Sequence, residues 1–261
     1  MRAVFESESD SFEMSRRHFL ESIRFPLVFV LILWLVHGYQ VMAGWDPVNF
    51  GIISRRLYGI MGIVTGPLVH GSWEHLISNT FPLLFLSVIS IYFYRKVAYR
   101  AFWMIYFLTG ASVWLFARHV SHIGASGVVY GLVAFIFWNG VFRRSIRSII
   151  LALIVVLLYS GMFFGILPDQ EGVSWESHLL GSLMGIFTSF WFKGELEDDE
   201  LDHREEPFAA ERLIAKQHYL PRDIFDKTKA QRIAEEEEAR RLREQQNNTF
   251  FPPFWNQDST Y

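Results

Sequence analysis

Six long apolar runs, almost free of charge, leave this chain very few possible folds. They lie at roughly residues 25–44, 76–94, 101–117, 126–142, 149–167 and 176–192. Each approaches the ~20 residues that carry a helix across the ~30 Å hydrocarbon layer of a bilayer. Backbone N–H and C=O groups in lipid must be paired within the protein, so only helices and closed barrels span it. The runs lack the period-two alternation of barrel strands. The expected fold is therefore an all-α polytopic membrane protein, a bundle of six transmembrane helices.

Composition agrees once its contradiction is resolved. The chain is 51% hydrophobic with 25 Phe and 9 Trp, yet 20% of it is charged. The charges gather at the ends and in short clumps between the runs. Three regions follow: an N-terminal segment 1–24, a membrane domain 25–193 and a charged tail 194–261, partly helical or disordered. The first 24 residues mix acidic and basic side chains, and the run after them is too long for a signal-peptide core. With no cysteine, disulfides, thiolate nucleophiles and Cys-based metal sites are excluded.

Lys and Arg in the short connections set orientation. Arg16, Arg17, Arg24, Arg95, Lys96, Arg100, Arg143, Arg144, Arg147 and Lys193 fall on one side, against Arg55, Arg56 and Arg118 on the other. Both termini are thus expected in the cytoplasm, with a plasma (inner) membrane as the location. Residues 57–69 carry no charge but are too short to span, which reads as a partly embedded first outer loop or as a hydrophobic loop packed on the bundle. In the tail, 229–246 reads as a solvated helix of alternating charge. The aromatic end, 250–255, would touch a membrane, touch a partner or hang free.

Polar side chains inside spans are costly and suggest function. His70 and His75 enter the second run, Asn79 lies within it, Ser126 opens the fourth and His178 opens the sixth. Ser126 stands 17 residues before Arg143, or ~25 Å of helix, so it should lie just below the outer surface if Arg143 marks the inner one. The other groups enter from the same side. A serine hydroxyl becomes a nucleophile when a base takes its proton, and histidine does so near neutral pH. An Asn amide, a His N–H and free backbone N–H groups at a helix start can hold an oxyanion. Ser126 as an ordinary helix cap is the competing reading.

Gly127 with Gly131, and Gly181 with Gly185, form Gly-x-x-x-Gly pairs that let membrane helices approach closely. Tyr130, one turn beyond Ser126, could hold the His178 ring. Glu176 and Asp169 are candidate third members, although Glu176 should point away from His178. His119 and His122 fall in a loop and read as exposed. No His-Glu-x-x-His string occurs, and no span contains Asp, so neither zinc nor aspartyl chemistry is expected.

Three strings carry a resemblance. They are His-Gly-Ser-Trp-Glu-His-Leu-Ile-Ser-Asn at 70–79, Gly-Ala-Ser-Gly-Val-Val-Tyr-Gly at 124–131, and Ser-His-Leu-Leu-Gly-Ser-Leu-Met-Gly at 177–185. In this order and on these runs, residues 25–193 resemble the rhomboid family of intramembrane serine proteases. The resemblance implies a rhomboid-like six-helix bundle, Ser126 as nucleophile and His178 as general base. Asn79, His75 and the Ser126 backbone N–H would form the oxyanion hole, with Tyr130 packed on His178. One departure is the first loop, which has Trp45 and then Arg55-Arg56 where the family carries a Trp-Arg pair. The implied activity is serine endopeptidase cleavage of transmembrane protein substrates in the lipid bilayer. No metal, organic cofactor or nucleic acid is expected. The alternative is a catalytically silent membrane-protein binding or quality-control factor.

Overall fold

The computed structural model describes residues 2–168, 174–198, 200–201 and 227–250. Two compact units divide between Asp202 and His203. In the first, long helices are α1 (Arg2–Ala43), α3 (Trp73–Phe93), α4 (Ala98–Phe116), α5 (Ser126–Arg143), α6 (Ile146–Tyr159) and α7 (Trp175–Phe192). A short α2 (Gly62–Thr65) lies in the first loop, and a 3-10 stretch, Ser160–Ile166, extends α6. In the second unit, α8 (Lys229–Phe250) covers the helix expected at 229–246. Asp169 and most of the 250–255 aromatic cluster lie outside the described residues.

Among the described residues, three helices are long and apolar enough to cross a membrane: Met14–Ala43, Trp73–Phe93 and Ser126–Arg143. The other three expected spans differ for identifiable reasons. α6 has 14 residues, about 21 Å of helix, before the 3-10 stretch takes over. α4 and α7 have spanning length, but Arg100, Thr109 and Ser112 on the one and Glu176, Ser177, His178, Thr188 and Ser189 on the other dilute their apolar character. All of these but Arg100 are buried. Thr188 donates to the Met184 carbonyl at 2.7 Å within its own helix, whereas the buried Thr109 and Ser189 hydroxyls find no hydrogen-bond partner among the described residues.

Between helices in lipid, packing and hydrogen bonds replace the hydrophobic drive. α5 is the central helix. It packs most extensively on α7, then on α6, α3 and α4. Its own Phe135 and Ile136 are fully buried, together with Leu33, Leu76, Leu86 and Ile105 of the neighbouring helices in the same core. Leu31, Leu35, Phe81, Phe116, Leu157 and Trp191 are exposed, an apolar outer surface that suits acyl chains.

Local chemistry fixes the helix ends near the site. The Ser72 hydroxyl caps α3 by accepting from the His75 N–H at 3.2 Å. The N-cap of α5 is Ala125, which has no capping side chain, so Ser126 is the first helical residue. The reading of Ser126 as a cap is thereby corrected. Its hydroxyl points elsewhere.

The first loop is anchored without a Trp-Arg pair. Ile52–Ile53 pairs antiparallel with Ser121–His122. Ser54 Oγ donates to the carbonyls of Val113 (3.0 Å) and Arg118 (3.1 Å). Arg55 donates to the Leu115 carbonyl at 3.0 Å, and Trp114 Nε1 donates to the Arg56 carbonyl at 3.0 Å. Arg55 and Arg56 thus tie the loop to the end of α4.

Arg143 does not mark a wetted surface. It is 1% exposed, it donates to Glu200 at 2.7 Å and Asn139 at 3.0 Å, and its guanidinium lies 4.9 Å from the Tyr94 ring centre. Glu200 also accepts from Ser145 and Ser148 at 3.0 Å each, which binds the segment after α7 to the α5–α6 corner.

Candidate active site

The first turns of α5 and α7 meet because both carry glycine where they touch. A Cβ on Gly181 would lie 2.9 Å from the Gly127 carbonyl carbon, and one on Gly185 would lie 2.8 Å from that of Gly131. The two Gly-x-x-x-Gly pairs therefore pack against each other, carbonyl to α-carbon.

That approach sets Ser126 Oγ 2.8 Å from His178 Nε2. His178 Nδ1 is 2.8 Å from the Gly165 carbonyl. A carbonyl only accepts, so Nδ1 carries the proton and Nε2 is left as the acceptor facing the serine. The Tyr130 ring stacks on the imidazole at 4.1 Å and 9°, and its hydroxyl donates to the Met162 carbonyl at 2.6 Å. The ring, the Gly165 carbonyl and Ser126 hold the imidazole from three directions.

Across from this pair, Gly124 has φ +95°, a conformation that favours glycine. A Cβ there would also lie 2.5 Å from His75 Cε1 and Nε2 and 3.5 Å from Asn79 Nδ2. His75 and Asn79, one turn apart on α3, therefore face the backbone just ahead of Ser126. Asn79 Nδ2 donates one proton to the His75 carbonyl at 3.1 Å and keeps a second. The Gly124 N–H donates to the Gly66 carbonyl at 2.9 Å, and the Ala125 N–H points to His70 Nε2 at 3.5 Å. His70 is fully buried behind the site, and burial pushes its imidazole pKa down to about 3.

The dyad opens on a cavity of about 710 Å³, lined by Ser126, His178, Asn79, His75, Tyr130 and Ser174 among others. Serine, a neutral histidine acceptor and amide donors along one polar wall can support acyl transfer. Residues 57–194 match the rhomboid domain over more than half the chain. The chain belongs to the rhomboid family. Uncharacterized proteins of Mycobacterium tuberculosis and Mycobacterium bovis are each 33% identical over 173 residues, 63% of this chain and 72% of theirs. An uncharacterized protein of Mycobacterium leprae is 31% identical over 176 residues, 63% of this chain and 68% of its own. Family and apolar helices together point to a membrane protein.

One of the sequence expectations changes, that for His122, while Glu176 points away from His178 as its position suggested. His119 is exposed, beside Arg55, but His122 is 2% exposed rather than a loop-surface residue. Its β-pairing with Ile52 draws it inward. Glu176 turns away from His178 to bind Arg118 at 2.9 Å. The partner on the far side of the imidazole is the Gly165 carbonyl instead. A backbone acceptor 13 residues away leaves no side-chain signal to read. No group of three or more His, Cys, Asp or Glu side chains suited to a metal ion occurs among the described residues.

Proposed function

We propose that this rhomboid-family chain is an intramembrane serine endopeptidase that cleaves transmembrane segments of membrane proteins with a Ser126–His178 dyad. The observation that carries the reading is the 2.8 Å contact between Ser126 Oγ and the unprotonated Nε2 of His178 on the wall of the cavity. Six spans with both termini cytoplasmic, as the charge distribution favours, would place the cavity toward the outer face of an inner membrane.

The chemistry follows from the contacts. His178 Nε2 removes the Ser126 proton as Oγ attacks the peptide carbonyl. The imidazolium keeps its Nδ1–H on the Gly165 carbonyl, which stabilises the charge it has gained. The free Asn79 proton, the His75 ring and the Ser126 backbone N–H are on hand for the oxyanion. As the intermediate collapses, the C–N bond breaks and His178 returns its proton to the leaving amine. Water then attacks the acyl-enzyme by the same base, and Ser126 is regenerated. Tyr130 keeps the ring facing the serine throughout.

The test is labelling of the full chain in detergent with a fluorophosphonate, which forms an Oγ–P bond and expels fluoride. Wild type labels at Ser126. Ser126→Ala and His178→Ala lose both labelling and cleavage of a fluorogenic transmembrane peptide. Equal labelling of all three would overturn the assignment in favour of a non-catalytic binding protein.

A further inference from the structure

A second Ser–His contact lies directly beside the first. His122 precedes Ser126 by four residues, and Ser174 precedes His178 by four. His122 Nδ1 and Ser174 Oγ are 2.5 Å apart, and Ser174 Oγ is 2.6 Å from Ser177 Oγ. His122 Nε2 lies 3.1 Å from the Arg118 carbonyl. That carbonyl must accept, so Nε2 carries the proton and Nδ1 accepts from the Ser174 hydroxyl. Burial holds the His122 imidazole below its ordinary pKa, against the opposing pull of the Arg118 carbonyl and Glu176.

Ser174 is the N-cap of α7, and a serine there ordinarily satisfies the first turn of its own helix. It makes no side-chain cap bond. Its hydroxyl reaches across to the strand that leads into α5. The parallel ion pair Arg118–Glu176, at 2.9 Å, joins the same two segments. The far end of the connection is also fixed: His122 pairs with Ile52, and Gly124 with the Gly66 carbonyl. The glycine contacts hold α5 and α7 together below the dyad, and these bonds hold them above it.

We propose that His122 and Ser174 are positioning residues, a latch that sets the spacing of Ser126 and His178. This rests on the serine-protease reading given above. Neither residue needs to touch the scissile bond. Each acts through the dyad member four residues after it.

Fluorophosphonate labelling resolves the proposal into two constants. Ser174→Ala and His122→Phe each lower the maximal labelling rate on the order of tenfold, as expected for a sub-ångström misplacement, and leave the reagent's binding constant unchanged. The double variant loses no more than either single one, because both remove one contact. Ser174→Thr, which keeps the hydroxyl, recovers most of the rate. An unchanged rate in Ser174→Ala overturns the latch, and so does weaker reagent binding at unchanged rate, which would make Ser174 a substrate contact. A spacing measurement separates this from failure of the protease reading. The chain has no cysteine, so Ser126→Cys with His178→Cys gives two unique thiols for a short bifunctional reagent. The latch predicts slower bridging when Ser174→Ala is added, even if wild type never labels. Bridging at the same rate refutes it.

Discussion

Gly181→Ala adds one methyl group where the bundle has no room for it. Gly181 is three residues beyond His178 on α7, and it faces Gly127, the neighbour of Ser126 on α5. The new Cβ would start 2.9 Å from the Gly127 carbonyl carbon, 3.2 Å from its Cα and closer still to its carbonyl oxygen. Carbon atoms rest comfortably at 3.5–4.0 Å, so the helices must separate by about 1 Å. The obstacle is backbone on a central helix, which cannot rotate aside. Overpacking of this kind costs about 1–3 kcal/mol. The larger effect falls on the dyad. Ser126 Oγ and His178 Nε2 start at 2.8 Å, and an added ~1 Å carries them beyond hydrogen-bond reach. A displacement of that size lowers the chemical rate on the order of 10²-fold. The assay pairs thermal unfolding in detergent with the fluorophosphonate labelling rate. Gly185→Ala, one turn deeper against Gly131, should cost similar stability with a smaller loss of labelling. If Gly181→Ala melts and labels like wild type, close helix approach is not what builds the site.

Two further outcomes follow from individual contacts. Asn79→Ala removes one amide donor beside Gly124 and should lower peptide cleavage on the order of 10²–10³-fold without loss of fold, and full activity would remove Asn79 from the oxyanion site. Arg143→Met strands the buried Glu200 carboxylate. Burial pushes that carboxyl up, but the Glu197 backbone N–H and Arg143 outweigh it and hold it below the usual carboxylate range. Losing the cation should cost about 3 kcal/mol, read as a lower melting temperature, and an unchanged melting temperature would mean that Ser145 and Ser148 suffice to hold Glu200.

Much of this protein could be read before any coordinates. Apolar run length gave the helical membrane class, because lipid forbids unpaired backbone and that constraint is local. The spacing of Ser126, His178, Asn79 and His75 along their runs brought chemically coherent groups to one end of the molecule. Gly-x-x-x-Gly indicated close helix approach. What tertiary structure alone decided is which atoms meet. Ser126 could equally have been a cap until Ala125 took that place and the hydroxyl turned to His178. The acceptor behind the imidazole is the Gly165 carbonyl, and backbone atoms are the same at every residue. His122 read as exposed because its burial depends on a strand partner 70 residues earlier. Arg143 read as a surface charge because Glu200, its buried partner, lies 57 residues away. Sequence patterns report on neighbours within a few residues of one another. Contacts of long sequence separation, which fix the tautomer, the latch and the buried ion pair, exist only once the helices have packed.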